Sequence, residues 1–261
     1  MKVKGLIAAG GEATRLGELT RVVNKHLLPV GGWPMIYYPL QLLQLAGVEE
    51  VMIVTGQGHA GQVIDLLGNG QMQERGEETP LFDLDLTYKV QVEAGGIAQV
   101  VGMAESFAGG DDLVVCLGDN IFEYVEAEAI RSFVEGDDGA AVFVKDVPDP
   151  ERFGVVVYGE DGRVTDVVEK AGVVDTRYDA PPSSDAVIGL YCYSPDVFEV
   201  IRGLRPSSRG ELEITDVNRH YAERSALACH RVSGWWEDAG TQESLPEIGA
   251  LIARTGVNKV A

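Results

Sequence analysis

The chain has 261 residues, 45% of them hydrophobic, and carries a formal net charge of −20 with a pI near 4.5. This acidity argues against nucleic-acid binding, which relies on neutralising phosphates over an extended basic surface. No apolar run reaches the ~18–20 residues of a membrane span, and the first residues do not resemble a signal peptide. We therefore expect no membrane partner. The three cysteines lack metal-ligand spacing, so we expect reduced thiols and a cytoplasmic location.

Short apolar runs alternate with helical patterns along the chain. The predicted strands are Val3–Ala9, Val51–Thr55, Leu84–Val90, Leu113–Leu117, Ala140–Val144, Gly154–Tyr158, Val164–Val168 and Val187–Tyr193. The predicted helices are Pro34–Ala46, Ala60–Leu67, Ile97–Phe107, Val125–Val134, Pro195–Ile201 with Ser194 as its cap, and a C-terminal helix over 241–255 with Thr241 as its cap.

This order of elements predicts an α/β fold in a single domain, 1–261. The first half reads as βαβ units, which favour a doubly wound, Rossmann-like, mostly parallel sheet. The middle contains a hairpin turn at Glu160–Arg163, which makes the sheet mixed and adds a smaller antiparallel excursion. Two charged or proline-containing stretches, 71–83 and 171–185, are interpreted as surface loops.

A glycine turn follows the first predicted strand and is the most informative local feature. Gly10 and Gly11 allow backbone amides to approach phosphate oxygens. Further along the chain, the planar guanidinium of Arg15 and the mobile ammonium of Lys25 can also bind phosphate. Residues 1–26 carry five basic and two acidic side chains, so this segment is positive in a chain that is otherwise strongly negative. The pattern indicates a small anionic ligand such as a polyphosphate.

The chain resembles the sugar-phosphate nucleotidyltransferases, and within them the glucose-1-phosphate thymidylyltransferases. The resemblance rests on ordered blocks that span nearly the whole chain, where one glycine-rich turn alone would be weak evidence. These blocks are residues 10–16 (GGEATRL), 25–30 (KHLLPV), 34–39 (PMIYYP), 117–122 (LGDNIF), 149–156 (DPERFGVV), 169–170 (EK), 186–191 (AVIGLY), 209–216 (RGELEITD) and 236–241 (WEDAGT).

The resemblance implies transfer of a nucleotidyl group from dTTP to α-D-glucose 1-phosphate, with Mg²⁺ and release of pyrophosphate. It implies a nucleotide-binding part over about 1–145 and a sugar-phosphate-binding part over about 146–240 that contains the antiparallel excursion. The implied catalytic residues are Arg15, Lys25 and Asp119. The implied nucleotide-binding residues are Gly10, Gly11, Ala13, Thr14, Arg15, Gln91, Gly96 and Asp119.

Asp119 and Asp238 are the implied metal ligands. Asp119 follows a buried-looking strand, where open α/β sheets form their ligand crevice, and a carboxylate there suits Mg²⁺. Without the resemblance, Asp119 reads as a turn-forming residue before Asn120. Asp238 would read as an acid favoured near the start of the last helix.

The implied sugar-phosphate residues are Gly154, Glu169, Lys170, Val187 and Arg209. Glu169 can accept hydrogen bonds from sugar hydroxyls, while Lys170 and Arg209 can pair with a phosphate. Taken alone, Glu169 and Lys170 would be a solvated charge pair at the end of a strand. The four histidines have no nucleophile or metal spacing and are interpreted as structural or surface groups.

Several departures from the family pattern keep alternatives open. Ala13 and Glu18 stand where glycine and proline are usual, and the segment 91–96 lacks the usual prolines. Another base or sugar 1-phosphate, such as UTP, is therefore an alternative, and a non-catalytic nucleotide-sugar binding protein is a weaker one. A dinucleotide-binding oxidoreductase is disfavoured because the turn lacks a third glycine. The family leads us to expect a homodimer or homotetramer.

Overall fold

The computed structural model describes residues 3–11, 23–73 and 80–260, so Glu12–Val22 and the tip of the 71–83 loop lie outside the described residues. Within these ranges the strands are β1 (Val3–Ala9), β2 (Pro29–Val30), β3 (Trp33–Pro34), β4 (Glu50–Gly56), β5 (Gln71–Gln73), β6 (Pro80–Asp83), β7 (Asp85–Gln91), β8 (Asp112–Leu117), β9 (Asn120–Phe122), β10 (Tyr124–Val125), β11 (Ala140–Asp146), β12 (Gly154–Tyr158), β13 (Val164–Glu169), β14 (Asp185–Tyr193), β15 (Leu227–Arg231), β16 (Trp236–Asp238) and β17 (Lys259–Val260).

The helices of the same ranges are short. They are α1 (Tyr37–Leu45), α2 (Ala60–Leu67), α3 (Ile97–Met103), α4 (Glu105–Ala108), α5 (Ala127–Glu135), α6 (Val197–Gly203), α7 (Ile214–Ala222) and α8 (Ser244–Thr255). No helix among them is long and apolar enough to cross a membrane. The chain divides into two compact units, the first formed by 1–94, 114–127 and 233–261 and the second by 95–113 and 128–232. The predicted single-domain organisation stays a prediction.

The first unit contains β1, β4, β7 and, from Val114 onward, β8, in the order β8, β1, β4, β7. β1 pairs with β4 in parallel, with Ile7 opposite Ile53, and β4 pairs with β7 in parallel, with Thr55 opposite Val90. Leu6 and Ile7 are fully buried, as expected for an apolar run in a parallel sheet. The amide of Gly118 donates to the carbonyl of Ala8, which places the end of β8 beside the end of β1.

The second unit contains the predicted antiparallel strands. β12 pairs with β13 and β14 in antiparallel fashion, and β11 pairs with β14 antiparallel and with β15 parallel. The hairpin turn between β12 and β13 is confirmed, because Gly159 and Arg163 close it and Gly162 has a φ of +79°. The α/β class and the mixed sheet are therefore confirmed.

Some elements differ from the predictions. The stretch 71–83, predicted as a loop, contains the antiparallel pair β5 and β6. Pro34 does not begin a helix but lies in β3, because Met35 and Ile36 donate their amides to Leu28 and His26 and hold this segment outside α1. The predicted helix Ile97–Phe107 is divided at Ala104, whose amide bonds to Val101 in a tighter turn. Ser194 does not cap α6 with its hydroxyl, which bonds to Gly139 and Asp196 instead.

Candidate active site

The glycine turn lies where the parallel strands of the first unit end. A Cβ on Gly10 would lie 2.6 Å from Oε1 of Gln91, and a Cβ on Gly56 would lie 3.2 Å from the carbonyl oxygen of Gly10. The end of β1 therefore lies close to the backbone at the end of β4 and to the Gln91 side chain at the end of β7, and glycine avoids crowding there. Gln91, predicted to contact the base, packs against the turn.

A cavity of about 270 Å³ opens at this edge of the first unit. Its walls come from the glycine turn, the loop between β4 and α2, and the end of β7. The residues that define it are Gly10, Gly11, Lys25, Gln57, His59 and Gln91. Open α/β sheets bind ligands outside the carboxyl ends of their strands, which is the position of this cavity.

Lys25 and Asp119 meet beside the glycine turn. The ammonium group of Lys25 donates to Oδ2 of Asp119, and a Cβ on Gly11 would lie 3.9 Å from Nζ of Lys25. Both side chains are largely shielded from solvent. The structure thus brings together two of the three predicted catalytic residues. The third, Arg15, lies outside the described residues with Ala13 and Thr14.

The neighbours of Asp119 keep its carboxylate ionised and oriented. Burial alone would raise the pKa of Asp119, but the charge and hydrogen bond of Lys25 outweigh it and hold the pKa below its usual range. The side-chain amide of Asn120 also donates to Oδ1 of Asp119 at 3.1 Å, and Nε1 of Trp236 fixes Asn120 by donating to its Oδ1 at 2.7 Å. A buried, oriented carboxylate can bind a cation, or it can orient a lysine that binds phosphate.

Asp238 reaches the same place through the backbone. β16 pairs with β9 so that Asp238 lies opposite Asn120, and the amide of Ala239 donates to the carbonyl of Asp119 at 2.8 Å. Two carboxylates on paired segments form the kind of donor set that Mg²⁺ uses together with substrate phosphates and water. Among the described residues, no group of three or more His, Cys, Asp or Glu is arranged to hold a metal ion, so a cation held by these two carboxylates would need further oxygens from substrate or water.

Two histidines lie closer to this site than the sequence indicated. His26 is buried, its ring Nδ1 lies 2.7 Å from Oδ1 of Asn24, and burial with the nearby Lys25 lowers the pKa of His26 to about 3. It is a neutral packing group, as predicted for the histidines. His59 lines the cavity, and its Nδ1 is buried with no hydrogen-bond partner within 3–11, 23–73 and 80–260. Only its place just before α2, after a glycine-rich turn, could have pointed to it.

Four of the predicted sugar-phosphate residues meet in the second unit. Oε1 of Glu169 lies 3.8 Å from Nζ of Lys170 and 3.7 Å from a guanidinium nitrogen of Arg209. A Cβ on Gly154 would lie 3.2 Å from Oε2 of Glu169, so glycine leaves room for this carboxylate. Val187 lies on β14, one residue beyond Ala186, which pairs with β12.

Two further residues of this group were not predicted individually, although both belong to the block 209–216. The hydroxyl of Thr215 donates to Oε2 of Glu169 at 2.5 Å. Glu213 accepts a forked pair of hydrogen bonds from Arg209, at 3.2 and 2.7 Å. Partial burial opposes the charge of Arg209, but Glu213, Glu211 and Glu169 raise its pKa above the ordinary value. Arg209 is therefore a fixed cation beside Glu169.

Gly96 belongs to the second unit and is held by a local constraint. Its φ is +91°, and a Cβ there would lie 2.4 Å from the carbonyl oxygen of Leu212. It stands at the start of α3. Its predicted contact with a nucleotide stays a prediction, as do the roles of the other site residues.

Comparison with known proteins gives a consistent result. The sequence pattern of the family described as "Nucleotidyl transferase" matches residues 4–255. The chain is 39% identical to glucose-1-phosphate thymidylyltransferase of Neisseria meningitidis, over 96% of this chain and 82% of that protein. It is 36% identical to the low-salt glycan biosynthesis nucleotidyltransferase of Haloferax volcanii, over 96% of this chain and 66% of that protein.

Solved structures agree with this similarity. A protein from Bacillus anthracis, crystallised with sucrose and provisionally assigned as a glucose-1-phosphate thymidylyltransferase, superimposes with a TM-score of 0.86 at 43% identity, covering 98% of both chains. A UDP-glucose pyrophosphorylase bound to UDP-glucose gives a TM-score of 0.83 at 24% identity, over 97% of this chain and 99% of that one. The latter likeness concerns the fold alone.

Proposed function

Because the chain belongs to the nucleotidyl transferase family, we propose that it transfers a thymidylyl group from dTTP to α-D-glucose 1-phosphate, forming dTDP-glucose and pyrophosphate. The observation that carries this proposal is the Lys25–Asp119 pair beside the glycine turn, at the carboxyl ends of the parallel strands. The names of the relatives with 36–39% identity supply the base and the sugar.

The reaction needs positioning and charge neutralisation more than a protein nucleophile. The second pKa of a phosphate monoester is about 6, so a sugar 1-phosphate is already ionised near neutral pH. One of its oxygens attacks the α-phosphorus of the triphosphate, and pyrophosphate leaves with the electron pair of the broken bond. Lys25 would offset negative charge that develops at the α-phosphate, and Arg15 would hold the outer phosphates.

We propose that Mg²⁺ is held by Asp119 and Asp238. When bound, it would neutralise charge on the phosphate oxygens. The residues fit this ion because both are carboxylates on paired segments and Asp119 is kept ionised. Lys25, which donates to Asp119 in this structure, would donate to a phosphate oxygen of the triphosphate.

The second unit supplies the groups for the sugar phosphate. Glu169 would accept hydrogen bonds from sugar hydroxyls, with Thr215 fixing its carboxylate. Arg209 and Lys170 would pair with the phosphate, and Gly154 leaves space beside Glu169. Arg209 would then have to divide its donors between the phosphate and Glu213.

The test is pyrophosphate release with Mg²⁺ and glucose 1-phosphate across dTTP, UTP, CTP, ATP and GTP. We expect dTTP to give the highest kcat/KM. A higher value with UTP would keep the chemistry and change the base, in keeping with the missing prolines of 91–96. No release with any triphosphate and any of a panel of sugar 1-phosphates would contradict the proposal and favour a binding protein. The expected homodimer or homotetramer is checked by light scattering, and the cytoplasmic location by cell fractionation.

A further inference from the structure

The predicted surface loop is 171–185, and its last residue, Asp185, is the first of β14. The remaining stretch, 171–184, is tied to the second unit by buried groups. Ala171 is buried, and it forms a small apolar cluster with Val155 and Val168, against which Tyr178 packs. The hydroxyl of Ser183 donates to the carbonyl of Val156 at 2.6 Å. The loop therefore lies along β12 and β13, the hairpin that ends at Glu169.

Asp175 is the main polar anchor of this loop. Its Oδ2 accepts hydrogen bonds from Arg177 at 2.6 Å and from Arg219 at 3.0 Å, and its side chain is only 9% exposed. Arg219, on α7, also donates to Oδ1 of Asp166 at 2.9 Å and to the carbonyl of Val167 at 2.9 Å. One guanidinium thus joins the loop, β13 and α7. We call Asp175, Arg177 and Arg219 the Asp175 clamp.

The backbone of Asp175 closes the turn that contains Lys170. Its amide donates to the carbonyl of Glu169 at 3.0 Å, and the amides of Val173 and Val174 donate to the carbonyl of Lys170. Lys170 has a φ of +41°, a left-handed conformation that costs a non-glycine residue about 1 kcal/mol or more. The turn keeps this conformation because the bonds around Asp175 hold it there.

The clamp also fixes the helix that orients Glu169. Thr215, which donates to Glu169, and Arg219 both lie on α7, one turn apart. Through Arg219 the same helix is bound to β13, the strand that carries Glu169. A network of partly buried charges is a poor source of stability, since desolvation opposes the attraction between the charges. The network contacts β13 and the backbone of Glu169, so it can instead orient Glu169 and Lys170.

We propose that Asp175 and Arg219 are positioning residues, which hold Glu169 and Lys170 in the arrangement that binds the sugar 1-phosphate. This inference rests on the proposed function and assigns the 171–184 loop to it. Neither residue is assigned a contact with the substrate. Asp175 acts through the turn at Lys170, and Arg219 acts through β13 and α7.

The test uses Asp175→Asn and Arg219→Gln in the full chain, with Arg202→Gln as the matched control. Arg202 forms an exposed ion pair with Glu105 in the same unit. We expect the two clamp variants to raise KM for glucose 1-phosphate about tenfold while KM for dTTP changes less than about twofold. Arg202→Gln should leave both values unchanged. Circular dichroism is used to check that each variant is folded.

A merely structural role would lower the melting temperature of both clamp variants and leave the two KM values unchanged, which would overturn the proposal. Equal increases in both KM values would also overturn it. If Asp175→Asn does not fold, Arg177→Gln replaces it, because Arg177 is half exposed and binds the same carboxylate. It should raise KM for the sugar phosphate in the same direction by a smaller factor.

Calorimetric binding of glucose 1-phosphate separates this proposal from the proposed function. A wild-type protein that binds glucose 1-phosphate but turns over no triphosphate contradicts the proposed function alone. In that case the clamp variants should still bind the sugar phosphate about tenfold more weakly. Variants that bind it as tightly as the wild type contradict the clamp alone, and a wild type that does not bind it contradicts both.

Discussion

Lys25 and Asp119 form a shielded ion pair although they are 94 residues apart in the chain. Lys25 lies in a short helical turn whose preceding residue, Asn24, binds the amide of His26 through its side chain. Asp119 comes directly after Gly118, which lies at the end of β8 and packs against the ring of His26. The positions of Lys25 and Asp119 are therefore both fixed by backbone that contacts His26: Lys25 precedes it in the chain, and Asp119 follows Gly118, which packs against its ring.

The first prediction concerns the stability of this pair. With EDTA present, Lys25→Met should lower the free energy of unfolding by roughly 3 kcal/mol, because it leaves a buried carboxylate without its countercharge. Adding Asp119→Asn to Lys25→Met should recover part of the loss. The measurement is urea denaturation. Lys4→Met is the control, since Lys4 pairs with a half-exposed Glu50 and its loss should cost at most about 1 kcal/mol. Equal effects of the two lysine changes would contradict the prediction.

The second prediction concerns catalysis. Asp119→Asn should lower kcat by about 100-fold or more, because it removes the charge that would hold the metal and orient Lys25. The variant keeps the shape of the side chain, so its fold should survive, as judged by circular dichroism. Asp161→Asn serves as the control, since Asp161 is exposed in the turn between β12 and β13. An active Asp119→Asn enzyme would show that the metal assignment is wrong.

The third prediction concerns the two glycines of the turn. Gly10→Ala should raise KM for dTTP about tenfold, because the new Cβ meets Oε1 of Gln91 and the amide must swing away from the base. The matched variant Gly11→Ala should have a smaller effect, since among the described residues a Cβ there would meet Nζ of Lys25 alone, at 3.9 Å. Steady-state kinetics with each substrate varied in turn checks both. If Gly11→Ala were the more harmful change, the role given to Gln91 would be wrong.

Apolar periodicity predicted the longer strands, since β1, β4, β8, β11 and β12 are nearly continuous apolar runs. It missed β15 and the short strands of two to four residues, which include β9 and β16 beside Asp119. It did not predict α7, the helix that carries Thr215 and Arg219. The buried side of α7 includes polar residues, among them Asn218, which accepts a hydrogen bond from Tyr193. The helix does bury apolar residues at helical spacing, Ile214, Val217 and Tyr221, but this stripe is short and Thr215 and Asn218 interrupt it, so the pattern is weak in the sequence.

The site was predictable in part. The resemblance named Lys25, Asp119, Glu169 and Arg209, and the structure brings these together as two pairs, one in each unit. It could not indicate the bonds that hold them, such as the one between Glu213 and Arg209. Such partners depend on the distances between elements, which a single sequence does not contain.

The fourth prediction concerns the metal. Asp238→Asn should raise the Mg²⁺ concentration needed for half-maximal activity about tenfold and leave KM for glucose 1-phosphate little changed, because one of two proposed carboxylate ligands becomes neutral. Activity is measured over a Mg²⁺ titration at saturating dTTP. Glu237→Gln, its neighbour on β16, is the matched control and should follow the wild-type curve. Identical Mg²⁺ curves for Asp238→Asn and the wild type would remove Asp238 from the metal site.

The fifth prediction concerns pH and the Asp175 clamp. The hydrogen bonds of Arg177, with the charge of Arg219, lower the pKa of Asp175 below its ordinary value of 3.8. Asp166 from β13 and Asp216 from α7 share these arginines and complete the charged surroundings of the carboxylate. A folded-state pKa below the unfolded one stabilises the fold above the unfolded value, and this contribution is lost as the pH falls through the folded value.

The free energy of unfolding of the wild type should therefore exceed that of Asp175→Asn by a constant amount between pH 5 and pH 7, about one pH unit or more above the unfolded pKa. The difference should shrink below pH 4. There the Asp175 carboxyl takes up a proton in the unfolded chain, where its pKa is higher, while it is still ionised in the folded protein. Urea denaturation of both proteins at pH 7, 5, 4 and 3.5 measures it, and Asp161→Asn should show a small difference at every pH. A difference between wild type and Asp175→Asn that does not change with pH would mean that the carboxylate charge contributes nothing, and that Asp175 holds the turn at Lys170 by its shape and backbone alone.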